Sequence, residues 1–172
     1  MAIDPIDEAR AGWTASGWGS TALAMVNITS IMRVQQILLG QINAVLKPYR
    51  ISFARLEVLM VLLMAPERDG LPLGYVGARL QVNPGAVTSA MDRLAADDLV
   101  RRVAHPTDGR ATLAVITRRG RKVALAAIAD MNALVLEPFE PRGDAGEQLF
   151  TLLRGIRASA GDLGFAAEES TA

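Results

Sequence analysis

One segment, residues 83–121, constrains the fold more than any other, because signals for a helix, a strand, a turn and a second strand follow one another within it. Asn83 is a favoured residue immediately before a helix, and Pro84 suits the first helical position, where its missing N–H group is not needed. Apolar side chains then recur at helical spacing, at Val87, Met91 and Leu94. This spacing predicts a short helix with one buried face.

The second half of the segment has the pattern of a hairpin. Residues 99–105 are predicted to be a strand, and residues 112–117 alternate like a returning strand. The residues at 106–109, Pro-Thr-Asp-Gly, are typical of a turn, and Arg110 follows them. A helix followed by a two-stranded ribbon with a cationic tip indicates a winged helix-turn-helix, in which the helix enters a DNA major groove and the tip reaches the adjacent minor groove.

A second short helix is predicted over residues 73–80, and residues 81–83 would form a three-residue turn between the two helices. Two short helices joined in this way form a helix-turn-helix motif. Side chains opposite the apolar stripe of the second helix would face DNA. On a helical wheel these are Gly85, Ser89, Asp92 and Ala96, with Thr88 and Arg93 on the flanks.

The rest of the chain is predicted to be mostly helical. Residues 20–47 are apolar on more than one side, which indicates a helix buried against two partners. Residues 1–19, with Trp13 and Trp18, indicate an irregular arm that packs against another surface, because tryptophans are seldom left fully exposed. Further helices are predicted over residues 53–65, 118–137 and 144–163, with Ser52 and Thr117 as caps and Pro138 and Pro141 as breaks.

Charge is distributed unevenly along the chain. The net charge is zero, which by itself argues against a nucleic-acid binder. Residues 99–122, however, hold seven basic side chains against Asp108 alone, a net of +6, whereas residues 1–32, 33–98 and 123–172 carry nets of −2, +1 and −5. A basic segment confined to the predicted ribbon is what a phosphate-binding face requires. The alternative is an ordinary solvated basic loop.

Composition argues against several classes of site. The chain has no cysteine, so disulfides and thiolate nucleophiles are excluded, and its single histidine, His105, rules out a histidine-rich zinc site. An all-carboxylate metal site remains a weak alternative. No glycine-rich phosphate loop or nucleophile–base arrangement is visible, so neither a cofactor nor an enzymatic activity is expected.

The sequence also favours a soluble cytoplasmic protein without membrane association. Its first ten residues, MAIDPIDEAR, are acidic where a signal peptide would be basic. The longest uninterrupted apolar run, residues 58–65, is far too short to span a bilayer.

The order of these elements, together with the stretch LPLGYVGARLQVNPGAVTSAMDRLAADDLVRRVAHPTDGR, resembles the MarR (multiple antibiotic resistance regulator) family of bacterial transcription regulators. The resemblance covers roughly residues 20–165. Its most specific element is the Asp-x-Arg of the turn, here Asp108-Gly109-Arg110, because this triplet lies between two strands and after a capped helix. Residues 1–19 lie outside the common family pattern.

The resemblance implies a mainly α fold with a small β-wing, made of a winged helix-turn-helix and a helical dimerisation domain. It implies a homodimer whose first and last helices interdigitate, and which presents two winged helices to a pseudo-palindromic site in double-stranded DNA. Many members repress transcription, and an acidic or aromatic small ligand weakens their DNA binding. The expected division is an arm (1–19), a dimerisation region (20–50 and 118–165), a DNA-binding domain (51–117) and a tail (166–172).

Each candidate DNA contact has a physical reason. The guanidinium of Arg110 can enter a narrow, electronegative minor groove, whereas Asp108 would orient Arg110 or bond the turn backbone. The hydroxyl groups of Thr88 and Ser89 can reach base edges or phosphates. Asn83 would cap the helix and could also touch a phosphate.

Three further arginines are candidate phosphate ligands: Arg93, Arg101 and Arg102. Gly85 completes the predicted DNA-facing surface. Arg93 could equally pair with Asp97 one turn on. Asp92 is left out of the site, because DNA repels a carboxylate unless it meets a cytosine amine or an arginine. His105 could be a pH-sensitive phosphate contact or simply an exposed histidine at a strand end.

A small-molecule pocket, if one is present, is expected between the dimerisation helices and the winged domain. Met25, Met32, Arg33 and Phe53 are its candidate lining residues. Methionines at helical spacing are more often part of a core, so Arg33, inside an otherwise apolar helix, is the residue best suited to hold an anionic ligand.

The sequence leaves alternatives to a sequence-specific regulator. A winged helix with an architectural or protein-interaction role would bind DNA with a steep salt dependence and little specificity. An enzyme is the third alternative, and it is the least supported, because no serine or threonine has a histidine partner in a predicted cleft.

Overall fold

The computed structural model describes residues 3–65, 70–80, 84–105, 107, 111–141 and 143–162. Within these residues, the helices are α1 (Pro5–Trp13), α2 (Ala22–Leu46), α3 (Phe53–Met64), α4 (Leu73–Arg79), α5 (Pro84–Ala96), α6 (Arg118–Met131), α7 (Glu137–Phe139) and α8 (Ala145–Ser159). The strands are β1 (Leu71–Pro72), β2 (Val100–Ala104) and β3 (Thr112–Ile116). The predicted class, mainly helical with a small β-wing, is confirmed.

The N-terminal arm is helical, so the prediction of an irregular arm is wrong. Asp4 caps α1 by accepting a hydrogen bond from the backbone N–H of Ile6 at 2.9 Å, and Pro5 occupies the first helical position. A π-helical turn with Gly17 at a φ of 86° follows, and α1 packs against α2. The capping signal at Asp4 and Pro5 was present in the sequence, but the glycines and prolines around it obscured it.

The two tryptophans of the arm contact each other. The ring centroids of Trp13 and Trp18 lie 5.0 Å apart in an edge-to-face arrangement. The indole N–H of Trp13 donates a hydrogen bond to the hydroxyl of Thr21 at 3.0 Å. Trp13 is half-buried, whereas Trp18 remains 56% exposed. The arm is therefore docked onto the start of α2 through Trp13.

The long helix α2 is mostly uncovered. Only Ala22 and Leu46, at its two ends, are buried, while large apolar side chains along its middle are exposed. By length and composition alone, the helical segment Pro5–Tyr49 could cross a membrane, and only 6% of its most apolar window is buried. The predicted burial against two partners is thus not provided by the described residues of this chain.

The core is built around α3. Its buried side chains include Leu56, Val58 and Leu59, none of which has any exposed surface. Ser52 caps the helix, as predicted, by accepting a hydrogen bond from the N–H of Arg55 at 3.4 Å. Helices α5 and α6 both pack on α3, so the helix that would read DNA is fixed to the centre of the core.

The small sheet has three strands in the order β1-β3-β2, all antiparallel. The two predicted strands, β2 and β3, pair from Val100↔Ile116 to Ala104↔Thr112. Strand β1 was not predicted, because two residues carry no periodicity. It exists through pairing with β3, where Leu71 lies opposite Ala114.

Thr117 joins the sheet to α6. Its hydroxyl accepts a hydrogen bond from the N–H of Gly120 at 2.9 Å, which confirms the predicted cap, and it donates to the carbonyl of Asp98 at 2.8 Å. The helix does not stop at Pro138 as predicted. Instead a π-helical turn, Asn132–Leu136, is followed by α7, which contains Pro138.

The described residues between 136 and 162 belong to a second compact unit. Helix α8 ends at Ser159, a few residues short of the predicted end. None of its residues is buried, although one face is strongly apolar. Its exposed apolar side chains are Leu149, Phe150, Leu152, Leu153 and Ile156. Residues 163–172, which contain the predicted tail, lie outside the described residues.

Candidate nucleic-acid interface

Helix α5 has the two faces that the sequence predicts. Val87, Met91 and Leu94 are buried against the core. The opposite face is exposed, and it includes Gly85, Thr88, Ser89, Asp92, Arg93 and Ala96. Because α5 packs on α3 and β2, its polar face is presented on a rigid support. Glycine, serine and threonine have small side chains, so their presence near the start of such a helix allows the helix to approach a groove closely.

An ion pair joins α5 to the wing, which is defined here as β2, β3 and residues 105–111. The guanidinium of Arg102 lies 2.7 Å from the carboxylate of Asp92, and both side chains are exposed. An exposed pair of this kind contributes only about 0–1 kcal/mol to stability. Its effect is on geometry and charge, since Arg102 neutralises the carboxylate that would otherwise repel DNA.

Asp97 does not pair with Arg93, although that pairing was one of the two sequence-based alternatives. Its carboxylate instead forms an ion pair with Arg55 of α3. The hydrogen bond and the charge of Arg55 lower the pKa of Asp97 below its ordinary value. The exposed guanidinium of Arg93 has no ion pair among the described residues, so it is available to a phosphate.

Backbone pairing in the wing extends beyond the ends of β2 and β3. The N–H of His105 donates to the carbonyl of Ala111 at 3.1 Å, beyond the end of the β2–β3 ladder. Arg101 on β2 is exposed and has no ion pair among the described residues. Three predicted DNA contacts, Asn83, Asp108 and Arg110, lie outside the described residues.

His105 is half-buried, so it is not simply an exposed residue at a strand end. Its Nδ1 atom lies 3.3 Å from both the backbone nitrogen and the hydroxyl of Thr107. This ring nitrogen is thus engaged within the wing itself.

The predicted ligand residues lie on two helices, α2 and α3. Met32 and Arg33 are exposed on α2, Met25 is half-buried on the same helix, and Phe53 is half-buried on α3. A cleft of about 430 Å³ lies elsewhere. Its described lining is Leu62, Ala65, Gly70, Leu71, Ala114, Val115, Ile116 and Arg121, none of which was predicted. Among the described residues, no group of three or more acidic or histidine side chains could hold a metal ion.

Glu57 provides a pH-dependent prediction. Its carboxyl is half-buried on α3, and desolvation raises its pKa above the ordinary value of 4.5. Because the ionised form is disfavoured in the folded state, Glu57 costs stability above this raised pKa and costs nothing below its ordinary value. Glu57→Gln should therefore stabilise the protein at pH 7, by less than about 1 kcal/mol after solvent screening. Urea unfolding at pH 7 and pH 4 measures the difference, most of which should be lost at the lower pH because the carboxyl is then mainly protonated in both states.

The matched control for Glu57 is Glu140→Gln, which removes the same charge at an exposed position. If both variants change the stability equally at pH 7, burial of Glu57 is not the cause of the stabilisation.

These features define a winged-helix DNA-binding protein: a helix-turn-helix on a helical core, a β-ribbon, and an exposed polar face with arginines that are unpaired among the described residues. The chain belongs to the MarR family of transcriptional regulators, and it is therefore a DNA-binding transcription regulator. The family model matches residues 51–111. No protein among the curated ones matches the chain.

Solved structures place the chain in the same family. Sco5413, a MarR family transcriptional regulator from Streptomyces coelicolor, is 40% identical, with a TM-score of 0.70 over 83% of this chain and 98% of that one. CouR from Rhodococcus jostii RHA1, bound to p-coumaroyl-CoA, is 26% identical, with a TM-score of 0.64 over 79% and 92%. A mutant MarR from E. coli, complexed with operator DNA, is 25% identical, with a TM-score of 0.66 over 74% and 91%.

Proposed function

We propose that this protein is a cytoplasmic, homodimeric repressor that binds a pseudo-palindromic operator in double-stranded DNA. The observation that carries the proposal is the exposed polar face of α5, which lies opposite a buried apolar face. It is flanked by Arg93 and Arg101, which form no ion pair with any other described residue. The small polar side chains and nearby cations of this surface suit a major groove and its flanking phosphates.

The proposed contacts divide into base-reading and backbone-binding groups. Gly85, Thr88 and Ser89 lie on the exposed face of α5 and would approach base edges. The backbone-binding group would be Asn83, Arg93, Arg101 and Arg102. Arg102 would act together with Asp92, because the ion pair holds its guanidinium beside α5.

The uncovered apolar surfaces support the proposed dimer. Leu23, Ile28 and Met32 on α2, and Leu152 and Ile156 on α8, are each more than half exposed. Large exposed apolar patches on soluble proteins often mark protein–protein contacts. A second copy would cover these surfaces, and the regions 20–50 and 118–165 would then form the dimerisation region beside the DNA-binding domain, 51–117.

A small aromatic or anionic effector is proposed for the same region. CouR, one of the structural relatives, is bound to p-coumaroyl-CoA. In this chain, Arg33 is an exposed cation on an apolar helix, and it could hold an anionic group once a partner covers the helix. Met25, Met32 and Phe53 would supply apolar contacts.

The test of this function is selection of bound sequences from a random duplex library at near-physiological salt. Recovery of an inverted repeat, with half-sites about one helical turn apart, is expected for a dimeric regulator. Recovery of no motif, with binding that falls steeply as salt rises, would instead support the architectural alternative. Transcription from a reporter carrying the selected site then distinguishes repression from activation.

Arg110→Ala tests the proposed minor-groove contact. It should weaken binding to the selected operator about 5- to 150-fold, because a minor-groove arginine contributes roughly 1–3 kcal/mol. The measurement is a fluorescence-anisotropy titration at fixed salt. Arg10→Ala, in the arm, removes the same charge from an exposed site and should leave affinity within about twofold. An affinity of Arg110→Ala within twofold of wild type would refute the role of the wing.

A further inference from the structure

Arg55 is the one charged residue that is buried among the described residues, and only 9% of its surface is exposed. It lies in the first turn of α3, surrounded in sequence by apolar side chains. No sequence motif marks Arg55 as a functional residue. Its position in an apolar helix is the signal that could have found it, because an unpaired arginine is seldom buried.

The guanidinium of Arg55 connects two separate parts of the fold. One nitrogen, Nη1, donates to the carbonyl of Arg50 at 3.0 Å, in the turn between α2 and α3. The other, Nη2, donates to the carbonyl of Arg93 at 3.5 Å and forms the ion pair with Asp97, both at the C-terminal end of α5. The Nε atom is buried and has no hydrogen-bond partner in the part of the chain that the structure describes.

This arrangement is an inefficient way to stabilise a core. Burying a guanidinium costs several kcal/mol, and an ion pair often does no better than well-packed apolar residues of the same volume. The buried Nε adds to that cost. The planar guanidinium holds its N–H donors in fixed directions. A lysine ammonium on its flexible side chain cannot reproduce this geometry.

We propose that Arg55 is a positioning residue for DNA recognition, which holds the end of α5 at a fixed angle to the α2–α3 turn. In a dimer, that angle sets the distance between the two DNA-reading helices. Arg55 therefore determines which half-site spacing the protein accepts. This inference rests on the proposed function, because it requires a dimer that reads two half-sites.

The same link connects α2 to the DNA-reading helix. Arg50, whose carbonyl accepts a hydrogen bond from Arg55, adopts a left-handed conformation with a φ of 57° directly after the 3₁₀ turn Lys47–Tyr49 that follows α2. A displacement of α2 moves this carbonyl, and Arg55 passes the movement to α5. Loss of Arg55 therefore weakens any effect that a ligand bound beside α2 has on DNA affinity.

The experiment compares affinity for two DNA duplexes: the operator recovered by selection, and the same operator with one base pair inserted between its half-sites. Wild type should strongly prefer the first. In Arg55→Lys and in Asp97→Asn, the ratio of the two affinities should fall by about threefold or more, in line with the coupling between contacting residues. Asp97→Asn is included because Asp97 is exposed, so this variant should fold even if Arg55→Lys does not.

A matched control distinguishes a positioning role of Arg55 from a general loss of stability. Leu62→Val removes volume from a buried side chain of α3 that lies about two helical turns beyond Arg55, and it should lower stability without changing the affinity ratio. If Leu62→Val lowers the ratio as much as Asp97→Asn does, or if both test variants keep the wild-type ratio, the inference is wrong. If wild type itself shows no preference between the two duplexes, the proposed function fails, and the inference fails with it.

Discussion

Gly120→Ala is expected to destabilise the protein by about 3 kcal/mol or more, which is the range of severe overpacking in a core. A Cβ atom on Gly120 would lie 1.9 Å from the carbonyl oxygen of Leu99 and 3.1 Å from Cγ1 of Ile116. The obstacle is backbone, so no change of side-chain rotamer relieves it. Leu99 precedes β2, Ile116 ends β3 and Gly120 lies in the first turn of α6, so the clash would separate the wing from the helix that supports it.

Thermal unfolding followed by circular dichroism measures this effect. A loss of 3 kcal/mol corresponds to a fall in Tm of about 6–12 °C for a chain of this size. Gly12→Ala is the matched control, because a Cβ at Gly12, in α1, meets nothing within 4 Å. It should leave Tm unchanged or raise it slightly, since alanine favours helices over glycine. A Tm for Gly120→Ala within about 2 °C of wild type would show that Leu99 and α6 can separate at little cost.

Ser89→Glu should reduce operator affinity by more than about a hundredfold, while leaving stability nearly unchanged. Ser89 is exposed in the middle of the outward face of α5, beside the carboxylate of Asp92. A second negative charge on that face would be brought against phosphates and base edges, and like-charge contacts at an interface cost several kcal/mol. Arg102 already neutralises Asp92, so it cannot also neutralise the new carboxylate.

The measurement is operator titration by fluorescence anisotropy, with Tm recorded for the same sample. Ser16→Glu introduces the same charge at an exposed serine of the arm and should bind operator as wild type does. Equal losses in the two variants would mean that net charge, not the face of α5, governs binding. Wild-type affinity in Ser89→Glu would mean that α5 does not enter a groove.

Local signals in the sequence predicted most of the fold. The caps at Ser52 and Thr117, and the apolar stripe from Val87 to Leu94, each depend on residues within a turn or two, so periodicity and capping rules found them. Strand β1 was missed because two residues become a strand only through pairing with β3. Helix α1 was missed because composition outweighed a capping signal at Asp4.

The charged contacts of the site were harder to predict, because their partners are distant in sequence. The local rule offered Arg93 as a partner for Asp97, but the fold provides Arg55, 42 residues away. Arg102 was predicted as a phosphate ligand, but its ion pair with Asp92, ten residues away, was not predicted. Residue type and helical spacing identified the DNA-facing surface, whereas only the tertiary structure showed which arginines on and behind it are already paired.

The Trp13–Trp18 contact has a spectroscopic consequence. These are the only two tryptophans in the chain, and both lie in the arm at the start of α2. Indole emission is therefore a local signal, which reports whether the arm is docked and is insensitive to the packing of the winged helix. Far-ultraviolet circular dichroism, in contrast, follows all the helices. If the two probes melt at different temperatures, the arm unfolds as a separate unit, and its emission can then be used to follow events at α2 without any added label.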